Sequence, residues 1–250
     1  MHRYFIQLAY KGTNYHGWQI QNNAISVQEE LNDSLSKLLG VKTETMGCGR
    51  TDAGVHAKEF YAHFDCHDVI LEPEKAIYKI NRILSSDIVC YKLYPVDLNA
   101  HARFDAKSRT YKYYIRKNKN PFITQTSYFF HGELDLDSMN QACLILSDYI
   151  DFSCFSKSNT QVFTNNCKIY SAIWQEHDDN LIFTISADRF LRNMVRAIVG
   201  TMLEVGKNKI SIPDFREIIK SKKRSNAGYS VPAEGLFLTK IEYPKGLLNE

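Results

Sequence analysis

The chain has 250 residues, 44% of them hydrophobic and 24% charged, which is close to the globular average and excludes a largely disordered or low-complexity protein. Thirty-one Lys and Arg against 28 Asp and Glu leave a formal charge of only +3, too mild to imply a polyanionic partner by itself. The six cysteines follow no CxxC or finger spacing and no run of 18 apolar residues occurs, so neither a disulfide framework, a zinc site nor a membrane span is suggested.

Tyr4 to Tyr10 alternates apolar and polar residues and predicts a strand ending in the turn-rich KGTNYHG. The opening MHRYFIQLAY holds no apolar signal core, so a soluble cytoplasmic protein with buried thiols is expected. A helix follows, with Ser26 and Glu29 as a capping box, Val27, Leu31, Leu35, Leu38 and Leu39 as its apolar stripe, and Gly40 closing it. Thr43 to Cys48 is a short strand candidate, GRTDAG a turn, and Val55 to Asp65 a longer strand with Phe60, Ala62 and Phe64 on one face. Pro73 opens a second helix with Ala76, Ile77, Ile80, Ile83 and Leu84 inward, and Ile88 to Tyr94 returns as a strand.

The second half repeats this rhythm without repeating the sequence. It runs through strand Arg109 to Arg116, helix Asp137 to Ser147, strands Lys168 to Glu176 and Leu181 to Ala187 joined by a hairpin-like HDDN, helix Phe190 to Val205, helix Asp214 to Lys222 and strand Leu236 to Tyr243. Strands flank the helices in each half and short strand-to-strand links favour antiparallel pairing. The predicted fold class is therefore α+β, in two halves each like a split βαβ unit, of ferredoxin-like or RRM-like kind. The join falls near residues 97–108, giving an N-terminal domain over 1–104 and a C-terminal domain over 105–250.

Four features could carry chemistry. Asp52 sits in a tight Gly-flanked turn with Arg50 close by, which suits either a presented carboxylate or a plain Asx-turn residue. The DAG tripeptide also fits half of an aspartic protease site, but no second such motif occurs, so a homodimer would have to supply the partner. Along the strand around Tyr111, period two places Tyr111, Tyr113 and Ile115 on one face and Thr110, Lys112, Tyr114 and Arg116 on the other. These tyrosines either pack in the core or stack on a base. Arg189, Arg192 and Arg196 fall at i, i+3 and i+7 of the predicted helix, and Arg196, between apolar neighbours in MVRAIVG, needs an anion for which Asp52 is a candidate. Basic residues cluster from Arg103 to Lys119 and from Lys220 to Arg224, either as solvated surface or, with interleaved aromatics, as a grip on nucleic acid. The histidines at 56, 63 and 67 match no metal-ligand spacing, and no metal is expected.

In order along nearly the whole chain stand YKGTNYHGWQIQ, SVQEEL, GCGRTDAGVHA, HARFDAKSRTYKYYI, FLRNMVRAIVG and PAEGLFL. Through these blocks the chain resembles the tRNA pseudouridine synthase A family. The resemblance implies one pseudouridine synthase fold with its active-site cleft between the halves, and isomerisation of uridine to pseudouridine at positions 38 to 40 of the tRNA anticodon stem-loop by a homodimer. No redox change or energy input is needed for that reaction, so no cofactor is implied. Carried over residue by residue, the resemblance makes Asp52 the nucleophile, Tyr111 the ring stacked on the target uracil, and Arg196 the partner of the aspartate. It links Arg50 to flipping out the base and sets Leu236 against it, while Lys112, Arg116, Arg192 and the Lys220 to Arg224 run would grip phosphates. Two departures stand out: Lys11 replaces the Asp usual in YDGT, and TQVFTNNCKI lacks an arginine often seen before that strand. An RNA-binding module without activity is the rival from another class.

Overall fold

The computed structural model describes residues 1–157, 163–178 and 180–248. They are α+β with mostly antiparallel strand pairing and five α-helices among the described residues. The chain divides into two compact units, Met1–Lys107 with Leu238–Glu250, and Ser108–Phe237.

In the first unit, β1 (His2–Tyr10) lies between β3 (His56–Cys66) and β4 (Ile88–Val96) and is antiparallel to both. Helix α1 (Val27–Leu39) starts where the Ser26 side chain accepts a hydrogen bond from the Glu29 amide, and it ends at Gly40 in the left-handed region, φ 71°. The strand expected over Thr43 to Cys48 shrinks to β2, Met46–Gly47. Its first residues are spent on α1 instead: the amide and hydroxyl of Thr45 both donate to Asn32 Oδ1, and the Thr43 amide donates to Ser36 Oγ. Helix α2 (Pro73–Ile83) buries Ala76 and Ile80, with Leu84 just past its end. Ile77 and Ile83, expected inward, flank that i, i+4, i+8 stripe, and Ile83 is left 40% exposed.

In the second unit, β8 (Asn180–Ala187) pairs antiparallel with β5 (Ser108–Arg116) on one side and β7 (Ile169–His177) on the other. A two-residue β6 (Tyr128–Phe129), which no local pattern announces, runs parallel to the end of β5. Helices α3 (Leu136–Leu146), α4 (Met194–Gly206) and α5 (Ile212–Ser221) complete the unit, the last opened by a reciprocal capping box of Ser211 and Asp214. Its core sets α4 residues Ala197, Ile198, Val199, Met202 and Leu203 among Tyr113, Trp174, Phe183 and Ile185, all buried. Strand β9 (Leu236–Glu242) begins in this unit and continues into the first. His177 and Asn180 pair across the hairpin, whose Asp179 lies outside the described residues, as do Thr160, Gln161 and Val162 of TQVFTNNCKI.

The helix expected from Phe190 starts only at Met194. Asn193 takes the left-handed conformation, φ 66°, and donates from Nδ2 to Ser230 Oγ, while the Arg192 carbonyl accepts from the Lys157 amide. Those commitments are incompatible with a helical turn. Arg189 and Arg192 therefore precede the helix, and the three arginines do not form one helical face.

Candidate active site

The turn that carries Asp52 is built by two loops packed backbone to backbone. Thr51 is tied at both ends: its Oγ1 lies 2.9 Å from the Tyr10 hydroxyl, and its carbonyl accepts from the Trp18 amide. The Asp52 carbonyl accepts from the Val55 amide at 3.1 Å, and the Gly54 amide donates to the Tyr15 carbonyl. A Cβ on Gly12 would stand 2.0 Å from the Val55 carbonyl oxygen, so only glycine lets the KGTNYHG loop come this close. That loop is in turn hung on the start of α1, where the amides of Val27 and Gln28 donate to the carbonyls of Gly17 and Trp18. The buried His56 accepts the Gly12 amide on Nδ1 at 3.0 Å. The result is a rigid mount with Asp52 half-buried and Arg50 exposed on the same loop.

Tyr15 locks the far side of this mount. Its hydroxyl donates to Glu30 at 2.5 Å and lies 2.7 Å from Ser85 Oγ. Burial, reinforced by Glu30, pushes that phenol up to about 12, so it stays a neutral donor.

The remaining predicted residues belong to the second unit. On β5, Tyr113 and Ile115 are fully buried and Tyr111 is half-buried, its ring edge-on to Phe190 at 5.1 Å. The period-two reading thus holds for the strand, with Tyr111 at the end of the core face. Arg196 donates from Nε to the Val231 carbonyl at 2.7 Å, and its own carbonyl accepts from the Val231 amide. These bonds pin segment 228–232 across α4, where Gly200 and Gly228 permit contacts that a Cβ would block, the first at 1.8 Å from the Tyr229 carbonyl oxygen. The Tyr113 hydroxyl reaches the next carbonyl, that of Pro232, at 2.8 Å. Arg196 and Tyr113 are thereby anchored to neighbouring carbonyls of one segment, which leads within four residues to the buried Leu236.

Three basic residues are placed differently from one another. Lys112 is half-buried on the opposite face of β5 from Tyr113, and Arg192 is exposed just before α4. Arg116 is turned inward: its Nη1 donates to the carbonyl and hydroxyl of Ser127, holding the loop before β6. Within the Lys220 to Arg224 run, Lys220 pairs with Glu217, Lys222 with Asp151, and Arg224 donates to the Gly228 carbonyl and Ser230 Oγ. Arg116 and Arg224 therefore serve as loop braces in this structure.

A family model described as tRNA pseudouridine synthase matches residues 150–244. The chain is 54% identical over 248 residues to a tRNA pseudouridine synthase A of Bacteroides fragilis, covering 99% of this chain and 98% of that protein. The chain belongs to the tRNA pseudouridine synthase A family. A tRNA pseudouridine synthase A of Parabacteroides distasonis is 51% identical over 247 residues, with 99% and 98% covered. One of Clostridium acetobutylicum is 40% identical over 240 residues, with 95% and 98% covered. Proteins named tRNA pseudouridine synthase A are isomerases that convert uridine to pseudouridine.

Gly12, Gly17 and the 228–232 segment have no assigned role in the sequence-based expectations, and Tyr113 enters them only as one of three strand tyrosines. For the glycines a signal existed, since both lie in the KGTNYHG block that marks the tRNA pseudouridine synthase A family. For the bonds of Tyr113 to Pro232 and of Arg196 to Val231 none did, because they span 119 and 35 positions of chain. Among the described residues no three His, Cys, Asp or Glu side chains group to hold a metal ion, and no helix is long and apolar enough to cross a membrane.

Proposed function

We propose that this protein isomerises uridine to pseudouridine at positions 38 to 40 of the tRNA anticodon stem-loop, as a cytoplasmic homodimer and without a cofactor. The observation that carries the reading is the 54% identity, over nearly the full length of both chains, to a protein named tRNA pseudouridine synthase A. In the proposed mechanism the ionised carboxylate of Asp52 attacks ribose C1′ and the bond to uracil N1 breaks. The detached base turns, C5 bonds to C1′, the carboxylate leaves, the C5 proton goes to solvent, and N1 takes up a proton from solvent. An elimination route assisted at C2′ by the same carboxylate gives the same products. The close-packed loops around Thr51 support this role, since a nucleophile must be held in register with the sugar it attacks.

The target base must leave the stack before it reacts. Tyr111 offers it an aromatic face, with Phe190 fixing the ring, and Leu236 gives an apolar contact. Arg196, fixed through Nε by the Val231 carbonyl, is assigned to pair with the Asp52 carboxylate and keep it charged. Arg50 is assigned to flipping the base, and Lys112 and Arg192 to phosphates.

The test is tritium release from transcripts labelled at C5 of uridine, in which uridine is kept at only one of positions 38, 39 or 40. Release from these transcripts and none from a transcript lacking all three is expected. Release only from uridines elsewhere would overturn the site assignment, and no release with intact tRNA binding would favour a binding module.

A further inference from the structure

The turn 101–105 presents an aromatic side chain that the mechanism above does not use. Phe104 is 74% exposed. A single exposed phenylalanine means little by itself; the turn behind it is what sets this one apart. The His101 amide donates to Asp105 Oδ2 at 2.7 Å and the Asp105 amide donates back to the His101 carbonyl. His101 Nδ1 accepts from the amides of both Arg103 and Phe104. The fully buried Ala102 donates its amide to His63 Nδ1, and its carbonyl accepts from the Tyr243 hydroxyl at 2.6 Å. His101, Arg103, Phe104 and Asp105 thus bond to one another, and Ala102 bolts the turn to β3 and to the segment after β9, all within the first unit.

The Phe104 ring is braced rather than loose. The His101 ring lies against it at 4.2 Å between centroids, and the Arg103 guanidinium carbon lies 5.7 Å from its centre. Arg103 and Lys107 are both exposed, and the Asp105 carboxylate is turned into the turn. A fixed, water-facing aromatic ring with a guanidinium over it and cationic surroundings suits an unpaired base with its phosphate. We infer that Phe104 is a stacking platform for an unpaired nucleotide of the tRNA substrate, with Arg103 contacting the adjoining phosphate. The inference rests on the proposed tRNA substrate and adds a contact outside the residues assigned to the reaction.

The test measures filter binding of a tRNA transcript to the full chain carrying Phe104→Ala, Phe104→Leu or Phe104→Trp. Alanine and leucine should each weaken binding about tenfold, tryptophan should restore it, and the emission of the new exposed indole should be quenched on adding tRNA. Trp18 and Trp174 are each 2% exposed, so the new indole is the one that reports contact with solvent. Unchanged affinity in the alanine variant, full affinity with leucine, or tryptophan emission that ignores saturating tRNA would each overturn the inference. So would quenching that follows protein concentration without tRNA, which would make the platform a contact between copies. Tritium release by the unaltered protein on the same transcripts reads the proposed activity separately, so failure of one does not pass for failure of the other.

Discussion

A Cβ on Gly17 would stand 2.3 Å from the carbonyl oxygen of Thr51, the residue before Asp52, and Gly17 itself holds φ +90°. The loop that opens the chain's first crossover is therefore the inner wall of the turn that carries the candidate nucleophile. Substituting it should harm the site in a way that its distance in sequence would not suggest.

Gly17→Ala combines a left-handed backbone with a backbone clash, so it should destabilise by more than about 1 kcal/mol. It should also lower tritium release on the order of a hundredfold, because displacing a reacting group by about 1 Å is enough for that. Gly40→Ala is the control. Gly40 shares the positive φ, but nothing lies within 4 Å of its would-be Cβ, so stability should fall with little change in activity. Urea denaturation and initial rates on both variants check this.

Arg196→Lys keeps the charge but loses the Nε bond to the Val231 carbonyl. A stability loss of about 1–3 kcal/mol is expected from that bond, together with a fall in rate of roughly a hundredfold if the guanidinium also holds a charged partner. Thermal denaturation beside single-turnover kinetics separates the two effects. A variant that is destabilised but fully active would leave Arg196 as a brace for segment 228–232.

Tyr111→Phe should keep most tRNA affinity, since an aromatic face remains. Tyr111→Leu should weaken binding of a tRNA by about 1–3 kcal/mol, the worth of one stacked base. The ratio of the two dissociation constants reads the ring's contribution and sets aside general damage to β5.

Stability should depend on pH through His63. Burial, with lesser contributions from Arg3 and His101, lowers this imidazole from 6.5 to about 4, against the opposing pull of Asp65 and Asp105. The folded protein therefore binds fewer protons here than the unfolded chain between those values. The stabilisation is fully present above pH 6.5 and is lost as pH falls towards 4. His63→Gln, whose amide oxygen can still accept from Ala102, should flatten the melting temperature over that interval. An unchanged slope would place the acid sensitivity elsewhere.

Most of the elements were legible because they are locally encoded. Alternation gave β1, β3 and β5, and Ser26 and Gly40 mark the two ends of α1 through chemistry confined to a few residues. What local pattern could not show was competition for backbone donors. Thr43 and Thr45 are good strand residues, yet α1 side chains take their amides. Phe190 to Asn193 continue an apolar rhythm, yet Asn193 turns left-handed and the Arg192 carbonyl is claimed by Lys157. The return of residues 238–250 to the first unit likewise depends on pairing far along the chain. Roles for Asp52, Tyr111, Arg196 and Leu236 come only through the motif blocks and the family resemblance they carry. The inward engagement of Arg116 with Ser127 lies outside anything a basic run can reveal.

Asp52 is proposed as a nucleophile and not a turn residue. The direct test is tritium release from C5-labelled uridine in a tRNA transcript by the unaltered protein and by Asp52→Asn, with tRNA binding measured alongside. The variant should bind tRNA and release no tritium, because an amide of the same shape keeps the turn and loses the attacking charge. Release by Asp52→Asn at a rate near that of the unaltered protein would contradict it.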